Sequence, residues 1–160
     1  MRTTTRCAPP RQCRACAEVS HDASWGAVLG GIDLEATHAS KQEASGYTGI
    51  PVGDAKTWLD VGAWTQARFV LADRMTLKPG LRIDNYGLTG ETVVDPRLDV
   101  HLRLTDHLTM VQAIGRYHQP PTVADVDPRG GNPDLKSSYS DQFSLGVTSE
   151  LRRIEASAVG

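Results

Sequence analysis

The chain reads as an all-β protein: an antiparallel up-and-down meander of about six strands, forming part of a transmembrane β-barrel. Three observations lead there. Its amphipathic runs alternate apolar and polar residues one by one, the period of a strand with two unlike faces. The runs reach about ten residues, the length a tilted membrane strand needs, whereas soluble strands centre near ~5–6. The connections alternate long and short, so a meander gathers the long ones at one end. A soluble sheet has no general reason for such sorting, but an outer-membrane barrel has short turns on one side and longer loops on the other.

The first run, Ser24–His38, carries the weakest alternation, and its slip at Gly30-Gly31 predicts a bulge. Val61–Ala72 sets Val61, Ala63, Ala67, Phe69 and Leu71 against Gln66 and Arg68. Leu77–Tyr86 sets Leu77, Leu81 and Ile83 against Lys78, Arg82 and Asp84. Pro79 removes one backbone donor there, which favours an early or edge position. Pro96–Leu104 is the cleanest run. Pro96, Leu98, Val100, Leu102 and Leu104 share one face, and Arg97, Asp99, His101 and Arg103 share the other. Leu108–His118 divides less clearly. Val111, Ala113 and Tyr117 make its more apolar side, while Met110 and Ile114 sit with Gln112 and Arg116. Tyr139–Leu151 restores the pattern, with Phe143, Leu145, Val147 and Leu151 against Gln142, Ser144, Thr148 and Glu150.

Between these runs lie long connections, Ala39–Asp60, Gly87–Asp95 and Gln119–Ser138, and short ones, Asp73–Thr76 and Thr105–His107. Trp64, Tyr86, Tyr117 and Tyr139 fall near the long connections, as an interfacial aromatic girdle requires. Of these, the alternation turns only Tyr117 and Tyr139 outward.

Composition excludes several classes. The 160 residues suit one domain or part of one. With 39% hydrophobic residues and a net charge of −2, nothing marks a nucleic-acid binder or a disordered acidic tail. No apolar run approaches the ~18 residues of a spanning helix, a test that barrel strands escape because they alternate. No G-x-S-x-G nucleophile motif is present. The scattered histidines His101, His107 and His118 suit a polar face better than a catalytic base. Gly130-Gly131-Asn132-Pro133 is a turn signal, with no strand–loop–helix context for phosphate. The chain is therefore not read as an enzyme, and no cofactor is expected.

Residues 1–20 are rich in Arg, Thr and Pro and hold all three cysteines, Cys7, Cys13 and Cys16. Cys13 and Cys16 form a C-x-x-C pair, with Cys7 before it and His21 after. A structural zinc site normally needs two such couples, so no metal is expected. The odd cysteine count argues against a disulfide framework. The segment lacks the apolar centre of a secretory signal and is expected to be a disordered leader. The remainder divides into a partial barrel over 21–153 and, over 154–160, a tail or the start of a further strand.

Four phrases and a fifth short one carry a family resemblance: "LKPGLRIDNY" (Leu77–Tyr86), "DPRLDVHLRLTDHLTM" (Asp95–Met110), "GRYHQPP" (Gly115–Pro121), "GNPDLK" (Gly131–Lys136) and "SLGV" (Ser144–Val147). Their order and spacing over Trp58–Leu151 resemble the carboxy-terminal half of the barrel of TonB-dependent outer-membrane receptors. The resemblance implies a barrel of about 22 strands around a plug, set in outer-membrane lipid and energised by TonB. It implies uptake of a scarce ligand such as an iron–siderophore, a cobalamin or an oligosaccharide. In that frame "GRYHQPP" ends a rising strand and opens an external loop, and "NPDLK" leads into the next descending one. Loops 39–60 and 119–138 become candidate ligand contacts, and Arg97, Asp99, His101 and Arg103 become candidate lumen-facing residues, most simply as a hydrated wall. The sequence departs from the family in showing no plug, no TonB box and no terminal aromatic residue at Val159-Gly160, so a truncated fragment is expected. The competing class is a soluble β-sandwich binding or adhesion module, with one face packed and one wet.

Overall fold

The computed structural model describes residues 2–8, 12–39, 55–72 and 74–149. Among the described residues there are eight strands and no helix: β1 (Arg2–Ala8), β2 (Gln12–Ala23), β3 (Gly26–Ala39), β4 (Lys56–Leu71), β5 (Met75–Tyr86), β6 (Glu91–Arg103), β7 (Leu108–Gln119) and β8 (Ser138–Ser149). They form one sheet in chain order, each antiparallel to the next, with β1 and β8 as its open edges. The all-β meander expected from the sequence is therefore present.

The register carries one face across the sheet. Ile32 lies opposite Ala63, Ala63 opposite Ile83 and Ile83 opposite Val94. Leu98 then lies opposite Ile114, and Ile114 opposite Phe143. The other face collects Asp33, Asp60, Arg82, Asp84 and Asp95. A slip of one residue anywhere would exchange the faces, so the continuity of the apolar row fixes the pairing. This apolar face is bare: Ile32 is 52% exposed, Ile114 56%, and Phe143, Leu145 and Val147 60–70%. A sandwich would have buried it against a second sheet, and among the described residues no second sheet covers it.

The sheet also departs from expectation. Residues 1–20 do not form a disordered leader, because Arg2–Ala8 and Gln12–Ala23 are strands of the sheet. β2 alternates Ala15, Ala17 and Val19 against Arg14, Glu18 and Ser20. Alanine is so weakly apolar that the alternation is faint, and the run is nevertheless held along its length by β3. Cys13 is disulfide-bonded, contrary to the expectation from the odd count, and in the ladder it stands opposite Cys7. The bulge predicted at Gly30-Gly31 is absent, since β3 keeps one register with both neighbours.

Gly31 instead leaves room for a neighbour: a Cβ there would stand 2.8 Å from the Trp64 indole nitrogen. The connection expected at Gly87–Asp95 is only the turn 87–90. It is closed by Gly90 N to Tyr86 O at 2.7 Å, with Gly90 at φ +69°, a left-handed conformation that glycine adopts without cost. Long connections thus remain at 40–55 and 120–137, on one end of the sheet, hereafter the loop end. The turns 24–25, 72–74 and 104–107 lie at the opposite, turn end. Most of the first long connection, like residues 150–160, lies outside the described residues.

The faces of β7 are the reverse of those expected. Val111, Ala113 and Gly115 pair with His101, Asp99 and Arg97, and so stand on the polar face. Met110, Gln112 and Ile114 continue the apolar one. Tyr117 accordingly does not look outward with Tyr139. Aromatic side chains still bracket the apolar face. Trp25 stacks on Phe69 at 5.2 Å at the turn end, while Tyr139 sits at the loop end under the Arg116 guanidinium, 4.6 Å away. Arg116 is also paired with Asp141 at 2.7 and 2.8 Å.

Candidate functional site: the polar face and its hollow

On the polar face, long charged side chains lie over small residues of neighbouring strands. Arg82 of β5 makes a two-pronged bond to Asp84, Nε and Nη2 both at 2.7 Å, and its Nη1 reaches Asp33 on β3 at 2.8 Å. That reach crosses β4 at Gly62, where a Cβ would come within 2.5 Å of both Arg82 Nη2 and Asp84 Oδ1. Arg14 of β2 adds a contact to Asp33 at 3.3 Å. One fork-shaped cation, Arg82, thereby ties β5 to β3 across β4, its planar geometry matching carboxylates two oxygens at a time, and a second, Arg14, joins β2 to the same Asp33.

Nearer the loop end, Asp60 accepts from Trp58 Nε1 at 3.1 Å and from Gly87 N at 2.8 Å. The β6–β7 ladder ends at Arg97 opposite Gly115. Above it Asp95, 8% exposed, accepts from the His118 backbone N at 3.1 Å and bonds the His118 Nδ1. These groups line a hollow of about 330 Å³ that runs from Arg14 on β2 to Tyr117 and His118 on β7. Adjacent strands stand about 4.8 Å apart, so strands so distant share one hollow only because the sheet curls toward its polar face.

The candidate row on β6 lies on this face but outside the hollow. Arg97 folds over Gly80, where a Cβ would meet its Nε at 2.7 Å, and that Nε is buried without a partner among the described residues. Asp99 stands opposite Lys78, and Lys78 Nζ lies 3.4 Å from His101 Nε2. Arg103 is exposed at the turn end. Sequence reasoning put Arg82 and Asp84 on the polar side without seeing that they meet Asp33, because only the register joins them.

The second candidate loop is ordered. After Gln119 the chain turns at Pro120-Pro121, and Asp125 Oδ2 accepts from Thr122 N and Oγ1 at 2.8 and 2.7 Å. Val123 packs on Ala39, with Trp58 and Leu88 beside them. Asp127, 2% exposed, accepts from Gly131 N through its carbonyl and from Arg129 N through its carboxylate. Asn132 of the "NPDLK" phrase holds Asp134 N and Leu135 N, closing the turn before β8. Ser137 is fixed through its N and Oγ to Glu91 Oε2 at 2.8 and 2.7 Å. No group of three or more metal-ligating side chains occurs among the described residues.

A curled meander with a bare apolar face and a hydrogen-bonded polar one is a segment of β-barrel wall. The chain belongs to the TonB-dependent receptor-like β-barrel family, whose model matches residues 16–159. This is a family of receptors and transporters in the outer membrane, not of enzymes. Among solved structures, a mutant of the ferric enterobactin receptor PfeA from Pseudomonas aeruginosa is similar, with a TM-score of 0.73 and 17% identity, over 88% of this chain and 24% of that one. The siderophore receptor PirA from Pseudomonas aeruginosa has a TM-score of 0.72 and 18% identity, over 88% of this chain and 28% of that one. PirA from Acinetobacter baumannii has a TM-score of 0.66 at 17% identity, over 88% and 24%. At such identities the likeness is one of fold. The chain spans about a quarter of the length of these receptors. No curated protein sequence matches it significantly.

Proposed function

We propose that the chain serves as part of the wall of an outer-membrane uptake receptor for a scarce ligand: an iron–siderophore, a cobalamin or an oligosaccharide. The observation that carries this reading is the bare apolar face, bracketed by Trp25–Phe69 at one end and Arg116–Tyr139 at the other. Facing lipid, it costs nothing to leave uncovered. In this reading the polar face lines the lumen, where Arg97, Asp99, His101 and Arg103 meet water and a plug domain. TonB supplies the energy that shifts the plug. Loops 39–60 and 119–138 stand outside the cell and contact the ligand. The wall itself performs no chemistry and needs no cofactor. The similar solved structures are of receptors for ferric enterobactin and siderophores, which favours the iron–siderophore class here. Uptake of ferric catecholate by whole cells making the receptor that contains this wall tests this. Saturable uptake that stops when TonB is removed supports it, and uptake equal to that of cells lacking the receptor overturns it.

A further inference from the structure

We infer that the turn-end half of the polar face holds an anion-binding cradle, built on β4, β5 and β6 around Gly80. It takes a compact polyanion through phosphate- or carboxylate-type oxygens. The charges of this face are sorted by end. In the hollow the carboxylates already have donors: Asp33 and Asp84 are held by Arg82, Asp60 by Trp58 and Gly87, and Asp95 by His118. Toward the turn end the balance reverses. On β4, β5 and β6, Arg68, Lys78, Arg97 and Arg103 share the polar face there with a single carboxylate, Asp99. Asp99 lies across the ladder from Lys78, yet no ion pair joins it to any of the four. Arg68, Arg97 and Arg103 make no ion pair with any described residue.

These cations gather over a recess. Arg97 lies across Gly80, whose missing side chain leaves the room: a Cβ would stand 2.7 Å from Nε and 3.0 Å from Cγ. Lys78 is the next residue of β5 on the same face, and its Nζ lies 3.4 Å from His101 Nε2. Between the pairs Gln66–Gly80 and Phe69–Leu77 the β4–β5 ladder is open, where Pro79 has no N–H to give. Arg68 stands in that gap beside Lys78. With strands about 4.8 Å apart, cations of three neighbouring strands share a patch about 10 Å wide. A second observation is independent of the charge count. Arg97 Nε is buried with no acceptor among the described residues, whereas buried donors are nearly always satisfied. An oxyanion supplies what that donor lacks, because a guanidinium binds oxygens in pairs.

The inference rests on the uptake reading only for the cradle's use, a station away from the loop end that suits a charged chelate over an uncharged sugar. The cradle itself is tested with inorganic pyrophosphate as the probe. The full chain is inserted in phosphatidylcholine vesicles, whose headgroups carry no net charge to compete. It is acylated with acetyl succinimidyl ester at constant ionic strength, and peptide mass spectrometry reads each lysine separately. Saturating pyrophosphate is expected to slow acylation of Lys78 about tenfold, the factor one charge-assisted hydrogen bond supplies. Lys136, exposed in the loop, should be unaffected. Arg97→Gln and, separately, Arg68→Gln should each raise the pyrophosphate needed for half-protection about tenfold. Arg68 is exposed and unpaired, so its variant decides the matter even where Arg97→Gln fails to fold. Acylation of Lys78 indifferent to pyrophosphate, or protection unchanged in folded Arg68→Gln, overturns the cradle and leaves the uptake reading standing. A Lys78 that resists acylation without pyrophosphate, while Lys136 reacts, overturns the wall reading and the cradle with it.

Discussion

A single missing side chain at position 62 permits the Arg82 network. With any Cβ there, the guanidinium and the Asp84 carboxylate are both crowded at 2.5 Å. Gly62→Ala is therefore expected to break at least one charge-assisted bond and to destabilise the sheet by about 1.5–3 kcal/mol. Gly146 offers the matched control, because a Cβ there meets nothing within 4 Å. Gly146→Ala should be neutral or stabilising by about 0.5–1 kcal/mol, since glycine weakens a strand through its backbone freedom. Urea titrations of the two variants in micelles check both values; equal midpoints would show that the Gly62 contact is not needed. None of this was legible in the sequence. Asp33 and Arg82 are 49 residues apart, and only the register of β3, β4 and β5 brings them into one bond.

Elements differed in how plainly they announced themselves. β6 from Pro96 onward and β8 from Gln142 onward alternate without a break, so their faces could be read residue by residue. β2 could not, since Ala15 and Ala17 carry too little apolar surface to stand out. β7 could not either, because Gln112 and Arg116 lie among its apolar residues and Tyr117 among its polar ones; cross-strand partners on β6 and β8 decide the matter. For β6 the faces make a direct forecast. Val100→Arg sets a cation against lipid at a cost of about 2–4 kcal/mol at mid-membrane, whereas His101→Arg leaves it hydrated. Folded yield in vesicles should fall sharply for the first and little for the second.

The loop 120–137 makes a forecast with pH. The Thr122 side chain and backbone N, both bonded to Asp125, hold that carboxyl below its usual range. A lowered folded-state pKa means the stabilisation is fully present above the ordinary aspartate value of about 3.9. It is lost as pH falls through the lower folded value. Protection of the Thr122 amide, its exchange rate divided into the intrinsic rate at each pH, should therefore be high at pH 5 and fall in acid beyond that value. Asp125→Asn, which keeps an accepting oxygen, should abolish the pH dependence while keeping the turn.

At the scale of the whole molecule, eight strands in an open meander leave β1 and β8 with unpaired backbone groups. β8 is exposed along its whole length, and its apolar side holds Phe143, Leu145 and Val147. An edge so flat and apolar pairs with any available strand. Made alone without lipid or detergent, the 160-residue chain should collect in inclusion bodies. A soluble monomer with a cooperative thermal transition would contradict the open wall. The central claim, that the bare face meets lipid and the polar face does not, is tested most directly on two adjacent residues of β6. Leu102→Cys and Arg103→Cys are each labelled with a fluorophore in the chain inserted in vesicles, and a quencher carried on the lipid tails is added. Strong quenching at Leu102 and little at Arg103 is the predicted result; equal, weak quenching at both would contradict the account.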